Sequence, residues 1–431
     1  MRIAGIVVEY NPMHNGHAYH LQQTKAITGA AGIVAVMSGN FLQRGEPALV
    51  DKWSRTQMAL QNGVDLVLEL PFVFANQNAT QFAYGAIATL DALGIVDSLC
   101  FGSEAGDIDP LQHISRELLQ PSAHFHAAFE HYNALGHSFP KAMAEALGSL
   151  QLGDVTDDLV KKPNNALGIA YLQAIQKLKS AIKPYTTTRI HADYHHPYAD
   201  HESIASATAI RNMILQHRSD HSFSAAQPFI PATTLHILQD CILSGKQLQT
   251  WEAFSLPLFA KLETLSAQEL AMHVHIDEGL AARIKQAVRQ CTTVTELIRY
   301  TKTRRYTWTR IQRSLTSVLL GLTKQSLREI SAEQGPSYIR ILGFNETGRK
   351  MLKQARKISR LPILTNLDST ADPMLAFDLQ AARIYARSFW NDKSFLLREF
   401  QPPVMDVRGA VSDIQSHPPT SAPEQSSFSC Q

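Results

Sequence analysis

Long apolar runs are missing from this 431-residue chain. No stretch approaches the roughly 18 consecutive apolar residues of a membrane span, so the expectation is a soluble protein with no membrane partner. Cysteine is scarce too. Four residues, Cys100, Cys241, Cys291 and Cys430, lie far apart with no CxxC pair. That spacing argues against a disulfide framework or zinc knuckle and for the reduced thiols of the cytoplasm. Glu9 falls where a secretory signal would continue its apolar core. No Walker A sequence and no GxGxxG occurs, which removes support for P-loop hydrolysis and for dinucleotide binding. Wholesale disorder is excluded by a hydrophobic share of 45% against 18% charged residues.

What is present is unevenly distributed. The net charge is only +2, yet residues 281–360 hold 18 Lys and Arg against 4 Asp and Glu, a net of +14. The remaining chain holds 22 basic and 34 acidic residues, a net of −12. A basic segment inside an acidic protein points to a polyanionic partner for that segment.

The length suggests two or three domains at about 150 residues each. In the first half, short branched runs at Ile3–Val8, Ile33–Met37, Leu66–Leu70, Leu99–Phe101 and Tyr185–Ile190 read as buried strands. Between them, His17–Thr28, Lys52–Gln61, Gln81–Leu93, Pro110–Leu150, Asn164–Lys179 and Ser206–Gln216 read as helical, the second-to-last stretch but one starting at Asp109-Pro110. The alternation predicts an α/β, Rossmann-like parallel sheet over residues 1–221. A mostly helical, basic region is expected over 222–400, with a boundary near Ser222–Pro231 and a small further subdomain at Tyr338–Gln354. Pro, Ser and Gln dominate 401–431, which reads as a disordered tail.

The sharpest motif is Glu9-Tyr10-Asn11-Pro12-Met13-His14-Asn15-Gly16-His17, placed between the first strand and the first helix. A helix N-terminus offers free N–H groups and a positive dipole end to phosphate. Gly16 lets a nucleotide approach the backbone, and His14 and His17 can donate hydrogen bonds to phosphoryl oxygens. The blander alternative is a turn with incidental histidines. A second motif runs from Ser203 to Arg211. Ser206 caps a helix on which Thr208 and Arg211 share one side, an arrangement suited to the β- and γ-phosphates or departing pyrophosphate of ATP.

His14-Asn15-Gly16-His17 resembles the HxGH motif of the nucleotidyltransferase superfamily related to class I aminoacyl-tRNA synthetases. Further segments narrow the likeness: Met37–Ala48, Phe101–Glu104, Pro163–Ile169, Thr188–Ile190 and Arg305–Arg313. With these the chain resembles the bacterial tRNA(Met) cytidine acetate ligase family from its start to about residue 400. The resemblance implies activation of acetate by ATP to acetyl-adenylate, then acetylation of N4 of the wobble cytidine of elongator tRNA(Met). It implies catalytic roles for His14, His17 and Arg211. It implies an ATP site made of Val7, Val8, Glu9, Tyr10, Asn11, Pro12, Met13, His14, Asn15, Gly16, His17, Ala18, Tyr19 and His20. To these are added Gly102, Asn164, Arg189, Ser206 and Thr208; whether Asn164 or its neighbour Asn165 faces the nucleotide stays open. ATP is expected with Mg²⁺, for which Asp65, Glu69 and Glu104 are candidate holders and none is singled out. His20 and Lys25 on the first helix are left facing either solvent or phosphate.

Two clusters remain. His191, His195, His196 and His201 gather near Tyr194, but Pro197 and the preceding strand-like run argue against a helical ligand pair. No carboxylate completes a zinc set, so no metal site is assigned there. In the basic segment, Trp308, Ile311, Leu315, Val318, Leu319 and Leu322 form an apolar helical face. Arg310 and Arg313 lie opposite, with Arg305 at the flank, and all three are read as tRNA phosphate contacts. Two competing readings are a small-molecule adenylyltransferase and a non-catalytic RNA-binding protein on a relic nucleotide fold.

Overall fold

Alternate residues of the central strands enter two different cores. The computed structural model describes residues 1–136, 139–150, 159, 162–189, 204–216, 223–330, 332–367, 372–388 and 393–406. Five parallel strands, β1 (Ile3–Val8), β2 (Gly32–Ser38), β3 (Leu66–Leu70), β4 (Ser98–Ser103) and β5 (Lys183–Thr188), lie in the order β5-β4-β1-β2-β3. Val34, Val36, Leu66, Leu68 and Leu70 face one core; Ala4, Ile6, Val8, Ile33, Ala35, Met37 and Val67 face the other. This is the period-two pattern of strands buried on both sides. The helices Ala79–Leu93 and Pro163–Leu178 cover the first face. On the second lie α1 (Asn15–Thr28), α2 (Lys52–Gln61) and the helix Ala207–Gln216. The expected α/β parallel architecture is therefore present.

Chain order reverses beside β1, whose neighbours are β4 and β2. Ligands of open α/β sheets collect outside the carboxyl ends of the strands at such a switch point.

Three local details are corrected. The helical stretch expected over 110–150 is present, as the helices Ile108–Leu119, Ala123–Ala134 and Phe139–Gly148. The first is capped by Asp107, whose carboxylate accepts from Asp109 N at 3.1 Å, so Asp109 sits inside the first turn. Tyr338–Gln354 is no separate subdomain: β6 (Ile339–Asn345) pairs antiparallel with β3 and extends the sheet. Its side chains supply both cores, Ile341 the first and Leu342 the second. A short β7 (Ile363–Leu364) and β8 (Val404–Asp406) flank β6. Thus three residues assigned to the tail are ordered in the sheet, and the sequence division at 221/222 does not divide it. The rest of the tail, 407–431, lies outside the described residues.

A buried ionic cluster explains the return of the chain. Lys52 on α2 pairs with Glu69 of β3 at 2.7 Å and with Glu399 at 2.8 Å. Arg340 of β6 pairs with the same two carboxylates at 3.3 and 2.7 Å. Two cations and two anions neutralise one another out of water, which is the condition for burying any of them. The helices from Ser255 to Leu322 pack on the first core, with Ile311, Leu315, Val318, Leu319 and Leu322 buried as their spacing predicts. Among the described residues no helix is long and apolar enough to cross a membrane.

One more buried cation shapes the carboxyl edge of the sheet. Arg55 on α2 has no solvent exposure and donates to backbone carbonyls alone: Glu9 O at 2.7 Å, Ser38 O at 3.0 Å, Val50 O at 3.2 Å, and Gly39 O. Arg55→Lys keeps the charge and loses the fork, stranding at least two buried carbonyls. With each stranded group costing about 1–3 kcal/mol, two of them should cost the variant about 2–6 kcal/mol, read as a lower urea midpoint. An unchanged midpoint would remove Arg55 from this role.

Candidate active site

Three parts of a polar site meet at the switch point: the loop after β1, the ends of β4 and β5, and a helix start. From β1 comes the loop Glu9–His14. Tyr10 turns the chain sharply with a left-handed φ of 49°, a conformation costing a non-glycine residue about 1–3 kcal/mol. Its ring is 1% exposed and lies edge-on to His17 at 5.0 Å. Asn11 fixes the next step, its Oδ1 accepting from Leu49 N at 2.7 Å. His14 is the N-cap of α1, and its backbone N–H donates to His17 Nδ1 at 3.3 Å. The two imidazoles stack with centroids 3.7 Å apart. A Cβ at Gly16 would crowd His14 Cε1 at 3.0 Å, so glycine leaves the stacked rings undisturbed.

β4 and β5 supply the second part. Asn164 donates to Glu104 Oε1 at 2.6 Å through Nδ2, and its Oδ1 accepts from Arg189 Nη1 at 2.8 Å. Asn165 is 1% exposed, and its Oδ1 accepts from Glu104 N and Ala105 N at 2.9 and 3.0 Å. Of the two asparagines, Asn164 therefore carries the arginine while Asn165 ties helix to loop. Gly102 makes room for Arg189, whose Cγ would sit 3.1 Å from a Cβ at that position.

The third part is the helix Ala207–Gln216. Ser206 Oγ accepts from Ala209 N at 3.2 Å, the cap expected from sequence. Arg211 donates to Asn11 O at 3.1 Å, Glu46 Oε1 at 3.0 Å and Thr208 Oγ1 at 3.3 Å. Ile204 adjoins Gly16, with its Cγ2 3.7 Å from the position of a Cβ there, which brings the two motifs together. Sequence reasoning did not find Glu46 as the partner of Arg211, since 165 residues separate them and spacing carries no signal.

Electrostatically the site is a set of neutral imidazoles beside two cations. Burial, then Arg189 and Arg211, hold His14 down at about 4. Burial and Arg189 hold His20 at about 4. Burial, then His14 and Arg189, hold His17 well below its usual value. Since His17 Nδ1 accepts from a backbone N–H, its proton sits on Nε2. His14 Nδ1 and His20 Nε2 are buried with no hydrogen-bond partner, as are Tyr10 Oη and Asn11 Nδ2. Unpaired polar atoms at a helix N-terminus between two guanidinium groups suit a phosphate-bearing ligand.

Other members of the expected set contribute backbone more than side chain. Val8, Tyr10 and Met13 are buried in the second core, and Val7 packs on the first. Asn15 donates to Pro228 O at 3.0 Å. Pro12 is buried, whereas Ala18 and Tyr19 are half-buried on α1. Lys25 is exposed near Gly63 and does not join the site. The candidate Mg²⁺ holders do not fit: Asp65 accepts from Ile33 N and Asn345, Glu69 is paired with Lys52 and Arg340, and Glu104 is held by Asn164 and Asn165. Among the described residues no group of three or more His, Cys, Asp and Glu could hold a metal ion. The cluster His191, His195, His196 and His201 lies outside the described residues.

In the basic segment, Arg305 is 76% exposed and Arg310 half-buried. Both flank the Tyr306 ring, at 5.5 and 5.1 Å. The helix itself has no acid, but Asp277 reaches it from elsewhere, pairing with Arg310 at 2.9 Å and Arg305 at 3.7 Å. Arg313 turns the other way, toward Gln43 O at 3.5 Å. Exposed Lys302 and Arg304 extend the basic surface beyond the residues singled out from sequence.

The family described as HIGH Nucleotidyl Transferase matches residues 1–396. A tRNA(Met) cytidine acetate ligase of Geobacillus sp. is 41% identical over 390 residues, covering 90% of this chain and 95% of that protein. One from Lysinibacillus sphaericus is 40% identical over 89% of this chain and 94% of its own. The chain belongs to this ligase family of HIGH nucleotidyl transferases. A crystal structure of Thermotoga maritima TmcAL bound with alpha-thio ATP shares its fold, with a TM-score of 0.83 at 33% identity, covering 94% of this chain and 99% of that one.

The neutral histidines generate a prediction. Bound polyphosphate should raise the pKa of His14, so ATP binding should take up protons between pH 4 and 6.5 and tighten as pH falls through that window. Calorimetry at pH 5.5 in buffers of differing ionisation enthalpy reads the uptake. It should shrink in His14→Ala; identical proton stoichiometry in wild type and variant would contradict the assignment.

Proposed function

We propose that this protein is an ATP-dependent ligase that activates acetate as acetyl-adenylate and acetylates N4 of the wobble cytidine of elongator tRNA(Met), giving N4-acetylcytidine. The observation that carries this is the pairing of the neutral His14–His17 stack with Arg189 and Arg211 at the switch point, in a chain whose relatives bear that ligase name. ATP binding by this chain is supported by the nucleotide analogue named with the Thermotoga maritima structure.

In the first step an acetate oxygen attacks the α-phosphorus, the bond to the bridging oxygen breaks, and pyrophosphate leaves with the electron pair. His14 and His17 donate hydrogen bonds as charge grows on the α-phosphoryl oxygens. Arg211, with Thr208 and Ser206 at the same helix start, receives the pyrophosphate end. Asn164 and Arg189 border the nucleotide. In the second step N4 attacks the acetyl carbon, AMP departs and N4 gives up a proton. Neither step requires an enzyme nucleophile; catalysis is positioning and charge stabilisation. Mg²⁺ would accompany the ATP phosphates; Asp65, Glu69 and Glu104 are already committed to protein partners.

Incubating the purified protein with ATP, acetate and unmodified tRNA(Met) tests the whole reading, since N4-acetylcytidine should appear by nucleoside mass spectrometry. Adenylation without RNA modification would instead favour a small-molecule adenylyltransferase. His14→Ala and His17→Ala should each lower acetate-dependent ATP–pyrophosphate exchange by about 10²–10³ with a much smaller change in ATP affinity. Arg211→Lys should also be impaired, because the forked geometry is lost while the charge is kept. Near-normal exchange in these variants would remove the motif from the mechanism.

The tRNA is assigned to Arg305, Arg310 and Arg313. Arg313 leans toward the loop at Gln43, so separation of chemistry from RNA binding is cleanest at the other two. Arg305→Ala with Arg310→Ala should weaken tRNA binding and flatten its log–log salt dependence by about 0.7–0.9 per lost contact, while exchange persists. Unchanged affinity and slope in the folded double variant would refute the assignment.

A further inference from the structure

The loop between β2 and α2 touches both functional regions. Residues 40–48 fold back on themselves: Phe41 bridges Pro47, Leu42 N donates to Glu46 O at 2.9 Å, and Ala48 N donates to Asn40 O at 2.9 Å. Beside its turn the loop is tied to the site, Gln43 N donating to Glu9 Oε1 at 2.7 Å. Its turn is seated on the helix Trp308–Leu319. Gly45 adopts a φ of 81°, and a Cβ there would lie 2.2 Å from the backbone N of Arg313, so two backbones are in direct contact. Thr316 Oγ1 donates to Gly45 O at 2.6 Å and fixes that contact. One residue beyond Gly45 is Glu46, the carboxylate on Arg211.

Three of the five guanidinium N–H donors of Arg211 are engaged by Asn11 O, Glu46 and Thr208. The plane of the fork is thereby set by protein groups, and two donors remain for a phosphate. Glu46 is the one carboxylate among these partners and the one carried on the loop. We propose that Glu46 is a positioning residue that orients Arg211 for adenylation, and that the 40–48 loop carries the seating of the basic 308–319 helix to it. This rests on the phosphate-gripping role given to Arg211 above. Chemically, an RNA backbone held on that helix and a pyrophosphate leaving at Arg211 then share one mechanical link.

Acetate-dependent ATP–pyrophosphate exchange tests this, with kcat and the KM for ATP measured separately on folded protein. Glu46→Ala should lower kcat about tenfold or more with little change in KM, because a misplaced fork fails in the transition state. Glu46→Gln keeps an acceptor at the same place and should recover most of the loss. Thr316→Val, isosteric and remote from the nucleotide, should lower kcat in the same direction and leave tRNA affinity intact. Wild-type kcat in Glu46→Ala, with Arg211→Ala still inactive, would overturn the positioning role and leave the adenylation reading standing. Wild-type kcat in both Glu46→Ala and Arg211→Ala would remove the underlying role of Arg211 as well. Wild-type kcat in Thr316→Val would overturn the link to the basic helix. A loss in Glu46→Ala that Glu46→Gln does not relieve would assign the effect to loop packing and also overturn the proposal.

Discussion

Arg55 has no contact with water, and the ends of two neighbouring strands converge on it. Its guanidinium collects carbonyls from Glu9 after β1, from Ser38 and Gly39 at and after β2, and from Val50 before α2. Carbonyls at strand ends have lost their ladder partners and must be satisfied some other way. By satisfying four together, one side chain sets where the histidine loop and the 40–48 loop leave the sheet. A buried cation bound by backbone dipoles is costly to place. The nearby buried cluster of Lys52, Arg340, Glu69 and Glu399 locks α2, the helix that carries it. The C-terminal segment thus contributes to the active site without touching it.

Downstream of that constraint the chemistry is one of preorganised donors. His14, His17 and His20 are kept neutral by burial and by Arg189. A neutral imidazole donates a hydrogen bond without carrying a charge into a low-dielectric site, and the arginines supply the positive potential. The stacked rings of His14 and His17 and the left-handed Tyr10 fix the site's orientation through protein contacts. In the proposed mechanism that orientation needs no rearrangement at the moment of reaction.

Strand and helix periodicity made much of this legible in the sequence. β1, β3 and α2 lie where short apolar and amphipathic runs place them, and Ser206, Thr208 and Arg211 share a helix start as their spacing implies. The features that escaped share one physical cause. β6 joining β3, Glu399 joining Lys52, Asp277 pairing with Arg310 and Glu46 pairing with Arg211 are contacts between residues distant in the chain. Local pattern carries no record of them. The same holds for Asn164 and Asn165, adjacent residues whose tasks are separated only by which way the helix Pro163–Leu178 turns them.

In the proposed reaction an acetate oxygen attacks the α-phosphorus of ATP and the acetyl group then passes to RNA. Turnover with acetate labelled by ¹⁸O at both oxygens tests it most directly. Each N4-acetylcytidine formed should be matched by one AMP carrying a single ¹⁸O on its phosphate, with the other label in the acetyl carbonyl. Label in inorganic phosphate with ADP as the nucleotide product, or unlabelled AMP alongside modified tRNA, would contradict the account.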